Sequence, residues 1–584
     1  MECRDSILSN EYYDVITDYA LSQFAAERGV SCSINIENLY NIVYLNRRAI
    51  SDPNEYLFNH RSMPKLYGLM QEPEPEAFSF DPNSLIVSGI SQVQREPLSL
   101  TGRGCVIVII DTGIDYTSPV FRNPDGSSRI LAIWDQTVQT GTAPEGFFYG
   151  SEYSREDINR ALQSENPYDL VPSRDENGHG SNLAAVAAGS ILDNGMDYMG
   201  AAPEADIVVV KLKECKDYFR EFYLIPGNVP AYQENDIMLG VLYGDKFAET
   251  FERPVVYCIG LGTNYGDHSG SSALSRYLDT VAVKRSRAVV VCGGNEGNAA
   301  HHYQGNLNSP SVAGSTRELV EVRVGPDSDG FLMEIWGNLP DIFTVSVRSP
   351  GGETIPTIRL GLQDIITYGF IYERTRVTIA GTLVEPASGE ELITMRIQTP
   401  TAGIWTFAVE AARDIHNGRF NIWLPVKQFL NAEVTFLKPS PYITLTEPAM
   451  ASDVISVSTY DGASRSFYIE SGRGFTRTGE INPDFAAPGV NISVLRGRQT
   501  GSSLAAAVTA GAVAQFMQWA VVERNDELVE SREIKNYFAR GATRNADLTY
   551  PNREWGDNVI IVSSKSGTSK IKRFRLIRPN CKLL

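Results

Sequence analysis

The chain has little cysteine, little histidine and a shortage of positive charge, and each shortage closes off a class of function. Its seven cysteines are an odd number in 584 residues, scattered without metal-ligand spacing. Cys105, Cys258 and Cys292 sit in apolar runs and read as small buried hydrophobes. A disulfide framework is therefore not expected, which points to a reducing compartment. Among the six histidines His301 and His302 are adjacent, but neighbouring residues point apart and nothing supplies further ligands, so no metal and no cofactor is expected. Lys and Arg number 52 against 70 Asp and Glu, a formal net charge of −18, which argues against nucleic acid or an anionic membrane as partner. The opening MECRDSILSNEYYDVITDYA lacks a basic stretch followed by an apolar one, so no secretory signal is expected. No apolar stretch is expected to approach membrane-spanning length, and internal repeats and low-complexity tracts are absent. Only the tail, with Lys565, Lys570, Lys572, Arg573, Arg575, Arg578 and Lys582, runs against the acidic trend, and it reads as a solvated end before it reads as a docking segment.

What is present divides the chain into regions. A length of 584 residues predicts two to four domains. Residues 1 to about 80 mix short strand-like and helix-like pieces, such as YYDVITDYALSQFAAERG and LYNIVYL, before the acidic run QEPEPEAFSFDPNS (71–84), which reads as a linker. The apolar block Cys105 to Ile110, ended by Asp111 and turned by Gly113, predicts a buried strand. Similar strands are predicted at Ile207 to Leu212, Pro254 to Gly260 and Ala288 to Gly293, with helical patterns such as HGSNLAAVAAGSIL and DIMLGVLYGDKFAETF between them. That alternation predicts an α/β fold with a parallel, doubly wound sheet. From about 316 to 440 the pattern changes to short alternating segments, LVEVRV, FLMEIW, IFTVSV, RVTIAGTLV, ELITMRI, IWTFAVEA, RFNIWL and AEVTFL, separated by turns such as SPGG and TPTAG. This predicts an inserted β-sandwich or jelly roll, in which Trp336, Trp405 and Trp423 read as core residues before they read as a carbohydrate site. The α/β pattern resumes at DVISVSTYDG and runs into SSLAAAVTAGAVAQFMQW. The expected units are 1–92, 93–315, 316–442, 443–565 and a basic tail, 566–584.

Three segments carry candidate chemistry, in the order Asp, His, Ser. IIDTGID (109–115) puts Asp111 past the end of a buried strand, where functional groups of open α/β sheets collect, although an Asp there also caps turns. NGHGSNLAAVAAG (177–189) puts His179 between two glycines at a helix entry, where a structural His would also fit. TGSSLAAAVTAG (500–511) puts Ser502 and Ser503 at a helix N-terminus, beside free N–H groups and the dipole, where either could equally be an N-cap.

Together, Asp-Thr-Gly, Gly-His-Gly-Ser and Gly-Ser-Ser-Leu-Ala-Ala resemble the three signature blocks of the subtilisin family in the same chain order. GAAPEADIVVVKL (200–212), VVVCGGNEGN (289–298), INPDFAAPGVNI (481–492) and the block around LGTNYGDHSG agree, so the resemblance covers roughly residues 100 to 310 and 445 to 560. It implies a serine endopeptidase with Asp111, His179 and Ser503 as its triad and Asn295 as oxyanion donor. It also implies substrate binding at Gly260, Leu261 and Gly262, with Gly294 by the specificity pocket and an extended peptide as partner. Ser502 stands for the family's usual Thr, Asn182 for a second His and Ala507 for a Pro, and none of these removes a proton-transfer group. No compact acidic loop marks a calcium site.

A narrower resemblance is to the Csp germination proteases of clostridia, through LTGRG, IIDTGIDY, LGTNYG and NADLTYPNREWG (545–556). It implies that residues 1–92 are a prodomain, cut off autocatalytically in the neighbourhood IVSGISQVQREP (86–97), with Gln92 or Gln94 as the cleaved position. It also implies a cytoplasmic or spore-associated location, with the inserted jelly roll rigidifying the protease. The closing DNVIIVSSKSGTSKIKRF departs from the usual ending of that group. The rival reading is a catalytically silent scaffold, and the intact Asp111, His179, Ser503 and Asn295 set speaks against it.

Overall fold

A computed structural model describes residues 3–18, 30–71, 83–191, 198–308, 317–358, 361, 364–495, 497–542 and 544–557. The helix-like piece near residue 20, most of the run 71–84, the closing segment and the basic tail lie outside these residues.

The centre is a nine-stranded sheet. Its order is Ser466–Phe467, Ile455–Asp461, Arg287–Cys292, Val255–Ile259, Val106–Asp111, Asp206–Lys211, Ile130–Asp135 and Ser151–Ser154, with Phe485–Pro488 beside Ile455–Asp461. Pairing is parallel except at the two ends, where Ser466–Phe467 and Ser151–Ser154 run antiparallel. The central strand VIVIID is apolar without interruption because both its faces are covered. Ile107 and Ile109 share one core with the helices His179–Ala188 and Ser502–Met517, while Val106, Val108 and Ile110 share another with Glu234–Phe251 and Ala273–Ala282. This is the doubly wound sheet that the sequence predicts.

The helix Ser502–Met517 continues in a π-turn to Val522. With a mean hydropathy of 1.4 over an 18-residue window, Ser502–Val522 is long and apolar enough to cross a membrane, which corrects the expectation that no stretch reaches that length. A helix apolar on every side is also what the centre of a large core demands, and 78% of that window is buried. Small residues let its neighbours approach closely. A Cβ on Gly511 would lie 2.3 Å from Ala201 Cβ and 2.6 Å from the Ala187 carbonyl oxygen.

All eight alternating segments of the middle region form strands, from Arg317–Val324 to Val434–Phe436. They lie in two antiparallel sheets, of six and five strands, enclosing a core of Val, Ile, Phe and Trp405. The six-stranded sheet also takes in His302–Asn306, paired with Arg419–Trp423, so the all-β layer begins before residue 316. No alternation in HYQGN announces that strand. Trp336, Trp405 and Trp423 are all buried.

Glu391, at the edge of this sandwich, is 4% exposed and accepts a 2.8 Å hydrogen bond from the Phe343 N–H. Burial pushes its carboxyl from 4.5 up to about 7. A carboxyl raised in this way contributes fully below pH 4.5, and its contribution is lost as the pH rises through 7. Glu391→Gln keeps the acceptor without the charge. It is expected to add on the order of 2–3 kcal/mol at pH 8 and almost nothing at pH 4 in denaturant titrations. Equal shifts at both pH values would exclude a buried charge as the cause.

Residues 3–18 and 30–71 form a small unit with a three-stranded antiparallel sheet, Tyr40–Asn46 lying between Tyr12–Thr17 and Val30–Ile36. Cys3 and Cys32 are disulfide-bonded, with Cα atoms 5.2 Å apart, a single bond that the expectation of no disulfide framework did not foresee. Spacing alone could not bring two residues 29 apart together. Cys105, Cys215, Cys258 and Cys292 are free and buried. The unit packs on the central sheet domain through Tyr13 against Tyr218 and through the buried Asp14. The Asp14 carboxylate accepts hydrogen bonds from Lys216 Nζ and, at 2.7 Å, from Gln233 Nε2.

Candidate active site

Asp111 is the last residue of the central strand, so its side chain emerges at the carboxyl end of the sheet. His179 is the first residue of its helix, after Gly178 in the left-handed conformation (φ 87°). Gly180 must be glycine, since a Cβ there would stand 2.3 Å from the Gly113 carbonyl oxygen. Ser503 lies in the first turn of the buried helix, where backbone N–H groups lack intrahelical partners. The fold brings the three together although 324 residues separate His179 from Ser503. His179 Nδ1 is 2.7 Å from Asp111 Oδ1 and Nε2 is 3.0 Å from Ser503 Oγ. Asp111 Oδ1 also accepts from the Thr112 N–H at 2.7 Å, and all three side chains are buried.

Asn295 Oδ1 accepts a 3.0 Å hydrogen bond from the Ser502 N–H, which leaves Nδ2 as the end able to donate. Gly260 lies against His179 and Ser503, where a Cβ would be 3.0 Å from both His179 Cε1 and Ser503 Cβ. On Gly262 or Gly294 a Cβ would run into Thr446, a residue packed against both glycines that sequence reasoning missed. Burial pushes the Cys292 thiol up to about 12, so it stays protonated beside the site. Of the departures from the family pattern, Asn182 donates from Nδ2 to Gln499 Oε1 at 2.9 Å. His301 and His302 point apart as expected, towards Glu296 Oε2 (2.8 Å) and Asn421 Oδ1 (3.0 Å).

The cleft is filled by the chain itself. Leu66–Leu69 pairs antiparallel with Leu261–Gly262 on one side and with Tyr232–Gln233 on the other. The Met70 N–H donates to the Gly260 carbonyl at 3.1 Å, and Gln428 Nε2 donates to the Leu69 carbonyl at 2.8 Å. The Met70 carbonyl in turn accepts from the Ser503 N–H at 3.2 Å. A Cβ on Gly501 would lie 2.6 Å from that carbonyl oxygen, and one on Gly68 would lie 2.3 Å from Gln428 Nε2.

The stretch 86–97, expected as the cleavage neighbourhood, is thus not the segment paired with Leu261–Gly262. That stretch is helical instead, at Asn83–Val87 and Ile90–Val93, with Gly89 (φ 73°) between the helices. Its apolar residues Leu85 and Ile90 are drawn into the main core, and Gln94 Nε2 is tied to the Gly200 and Ala201 carbonyls at 3.2 and 2.8 Å. The occupant belongs to KLYGLM (65–70), a run too short to show a period, whose one local trace is an apolar stretch with a glycine just before the acidic proline linker.

A family model described as the subtilase family matches residues 102–350 and 427–556, and the gap between the two stretches falls within the inserted sheets. Subtilisin-like protease SBT3.6 of Arabidopsis thaliana is 30% identical over 238 residues, which are 33% of this chain and 30% of that protein. Serine protease AprX of Bacillus subtilis is 29% identical over 125 residues, 21% of this chain and 20% of that protein. The chain thus matches less than a third of the length of these curated relatives. Among solved structures, the CspB protease of Clostridium perfringens is similar with a TM-score of 0.73 at 30% identity, covering 82% of this chain and 96% of that one. With the family pattern spanning both halves of the α/β domain, and a likeness to CspB over 82% of the chain, this chain belongs to the subtilase family of subtilisin-like serine proteases.

Proposed function

We propose that the protein is a serine endopeptidase that cuts its own chain between Met70 and Gln71. One observation carries the reading: the Met70 carbonyl lies on the Ser503 N–H while Ser503 Oγ lies on His179 Nε2. Ser503 Oγ attacks the Met70 carbonyl carbon as His179 Nε2 takes its proton, and Asp111 holds Nδ1–H and stabilises the imidazolium. The Ser503 N–H and Asn295 Nδ2 receive the oxyanion. The bond to Gln71 then breaks, its nitrogen takes the proton from His179, and water attacking by the same route releases the Met70 carboxylate. Gly260, Leu261 and Gly262 act as the edge that an extended peptide joins, and Gly294 with Thr446 shapes the pocket beside them. Residues up to Met70 act as the prodomain, which ends well before residue 92, and the inserted sandwich acts as the jelly roll of the Csp type.

N-terminal sequencing of purified wild type beside Ser503→Ala tests this. Wild type is expected to yield a second N-terminus at Gln71, with both fragments eluting together on size exclusion, and Ser503→Ala to stay one chain. A fluorophosphonate probe is expected to label the wild type alone. A cut between residues 84 and 97 would sink the register proposed here. An uncut wild type that also refuses the probe would leave the silent scaffold in its place.

A further inference from the structure

We propose that the inserted β-sandwich and the α/β domain jointly build an acidic subsite that selects a basic residue at the sixth position before the scissile bond. The inference rests on the Met70–Gln71 reading above, which makes Lys65 that sixth residue. Lys65 is 4% exposed, although a lysine ammonium is costly to bury without partners. Its backbone N–H donates to Glu234 Oε2 at 3.0 Å, and its Nζ lies 3.8 Å from the same oxygen. Glu447, fully buried, lies near the Lys65 side chain at Gly266. An added Cβ on Gly266 would come within 3.7 Å of Lys65 Cε and 3.4 Å of Glu447 Cγ. Glu447 Oε2 is tied to the Ser275 hydroxyl at 2.5 Å, while Oε1 accepts no hydrogen bond from any described residue.

Two further buried carboxylates come from the insertion. Glu334 accepts from the Gly266 N–H at 2.9 Å, which fixes it against the α/β domain, and Glu385 lies next to it across His60. His60 is 3.7 Å from Glu334 Oε1 and 3.9 Å from Glu385 Oε1. Burial pulls the Lys65 pKa down, but Glu234, Glu334, Glu385 and Glu447 outweigh it and hold the ammonium above its ordinary value. None of the four glutamates belongs to the segment in the cleft. When Lys65 departs with the cut N-terminal fragment, they remain, and like charges buried together favour whatever cation replaces it. An extended peptide seated on the Leu261–Gly262 edge carries its own sixth residue to that place, so the insertion takes part in choosing the substrate.

The test uses peptides of residues 62–75 with Lys, Arg, Met or Glu at position 65, given to the processed enzyme after its associated N-terminal fragment has been stripped off, and to a Glu334→Gln/Glu385→Gln double variant prepared in the same way. The Lys and Arg peptides are expected to be cut after Met70 with kcat/KM at least about 30-fold above the Met peptide, and the Glu peptide lower still. The double variant is expected to shrink the Lys-over-Met ratio by roughly tenfold. Because that ratio is taken on one enzyme preparation, a merely loosened fold does not move it. In the full chain, Lys65→Met is expected to slow the appearance of the Gln71 terminus and Lys65→Arg to restore it. If that variant does not fold, the peptides decide. Equal cutting of the Lys and Met peptides at Met–Gln overturns the subsite and leaves the proposed function standing. Failure to cut any of them at Met–Gln overturns both.

Discussion

Ser503→Ala is expected to lower kcat on a peptide substrate by about 10⁶, leaving a residual rate over water from binding and the oxyanion donors. The substitution removes the Oγ that lies 3.0 Å from His179 Nε2 and little else. The N–H of residue 503 still donates to the Met70 carbonyl, so the variant is expected to hold the uncut segment in the cleft. Its melting temperature should therefore stay close to that of wild type, which separates loss of chemistry from loss of fold. A variant keeping a tenth of the activity would remove Ser503 from the nucleophile role. His179→Ala is expected to cost about as much as Ser503→Ala, and the double variant little more, because the residues act as one unit.

Asn295→Ala is expected to reduce kcat by 10²–10³, about 2.7–4 kcal/mol, with KM nearly unchanged. The side chain has two ends with different duties. Its oxygen holds the Ser502 N–H at 3.0 Å, and its nitrogen is the end that can donate to an oxyanion. Alanine removes both and leaves a buried N–H without its acceptor, a cost of about 1–3 kcal/mol in stability. Asn295→Asp keeps an acceptor for Ser502 and loses the donor. It is expected to match the alanine variant in kcat, which stopped-flow turnover read beside a melting curve would check. Recovery of kcat in Asn295→Asp would show that Asn295 acts by shaping the helix entry and not by donating to the reacting oxygen.

The central sheet was legible in the sequence because its strands are buried on both faces, and uninterrupted apolar runs as short as VIVIID and AVVVC fit little besides a covered strand. The triad was legible because the residues that crowd it must be small. Gly180 and Gly501 are fixed by backbone close by and Gly178 by its left-handed φ of 87°, and such constraints write themselves as short local motifs. The occupant of the cleft was not legible in the same way. Leu66–Leu69 forms its strand only against Leu261–Gly262 and Tyr232–Gln233, partners far away in the chain, and four residues hold too few repeats to betray a period. Residues 83–93 misled for the converse reason. Gly89 and the small polar residues around it suggest an extensible link, but burial of Leu85, Ile90 and Val93 outweighs that freedom. The glutamates around Lys65 are scattered from 234 to 447, and only the folded chain gathers them.

The position of the sandwich between the two halves of the sheet has a consequence in time. His179 and Ser503 are 324 residues apart, and the whole insertion lies between them. At a synthesis rate of 5–20 residues per second, roughly 16 to 65 s pass between the emergence of the histidine and that of the serine. The N-terminal unit, whose sheet contacts are short in sequence, can form early in that interval, whereas the strand Ile455–Asp461 and the helix that bears Ser503 are among the last to arrive. On the proposed function, a ribosome-bound chain therefore has the segment that fills its cleft before it has its nucleophile, and no cut can precede the docking of the helix Ser502–Met517.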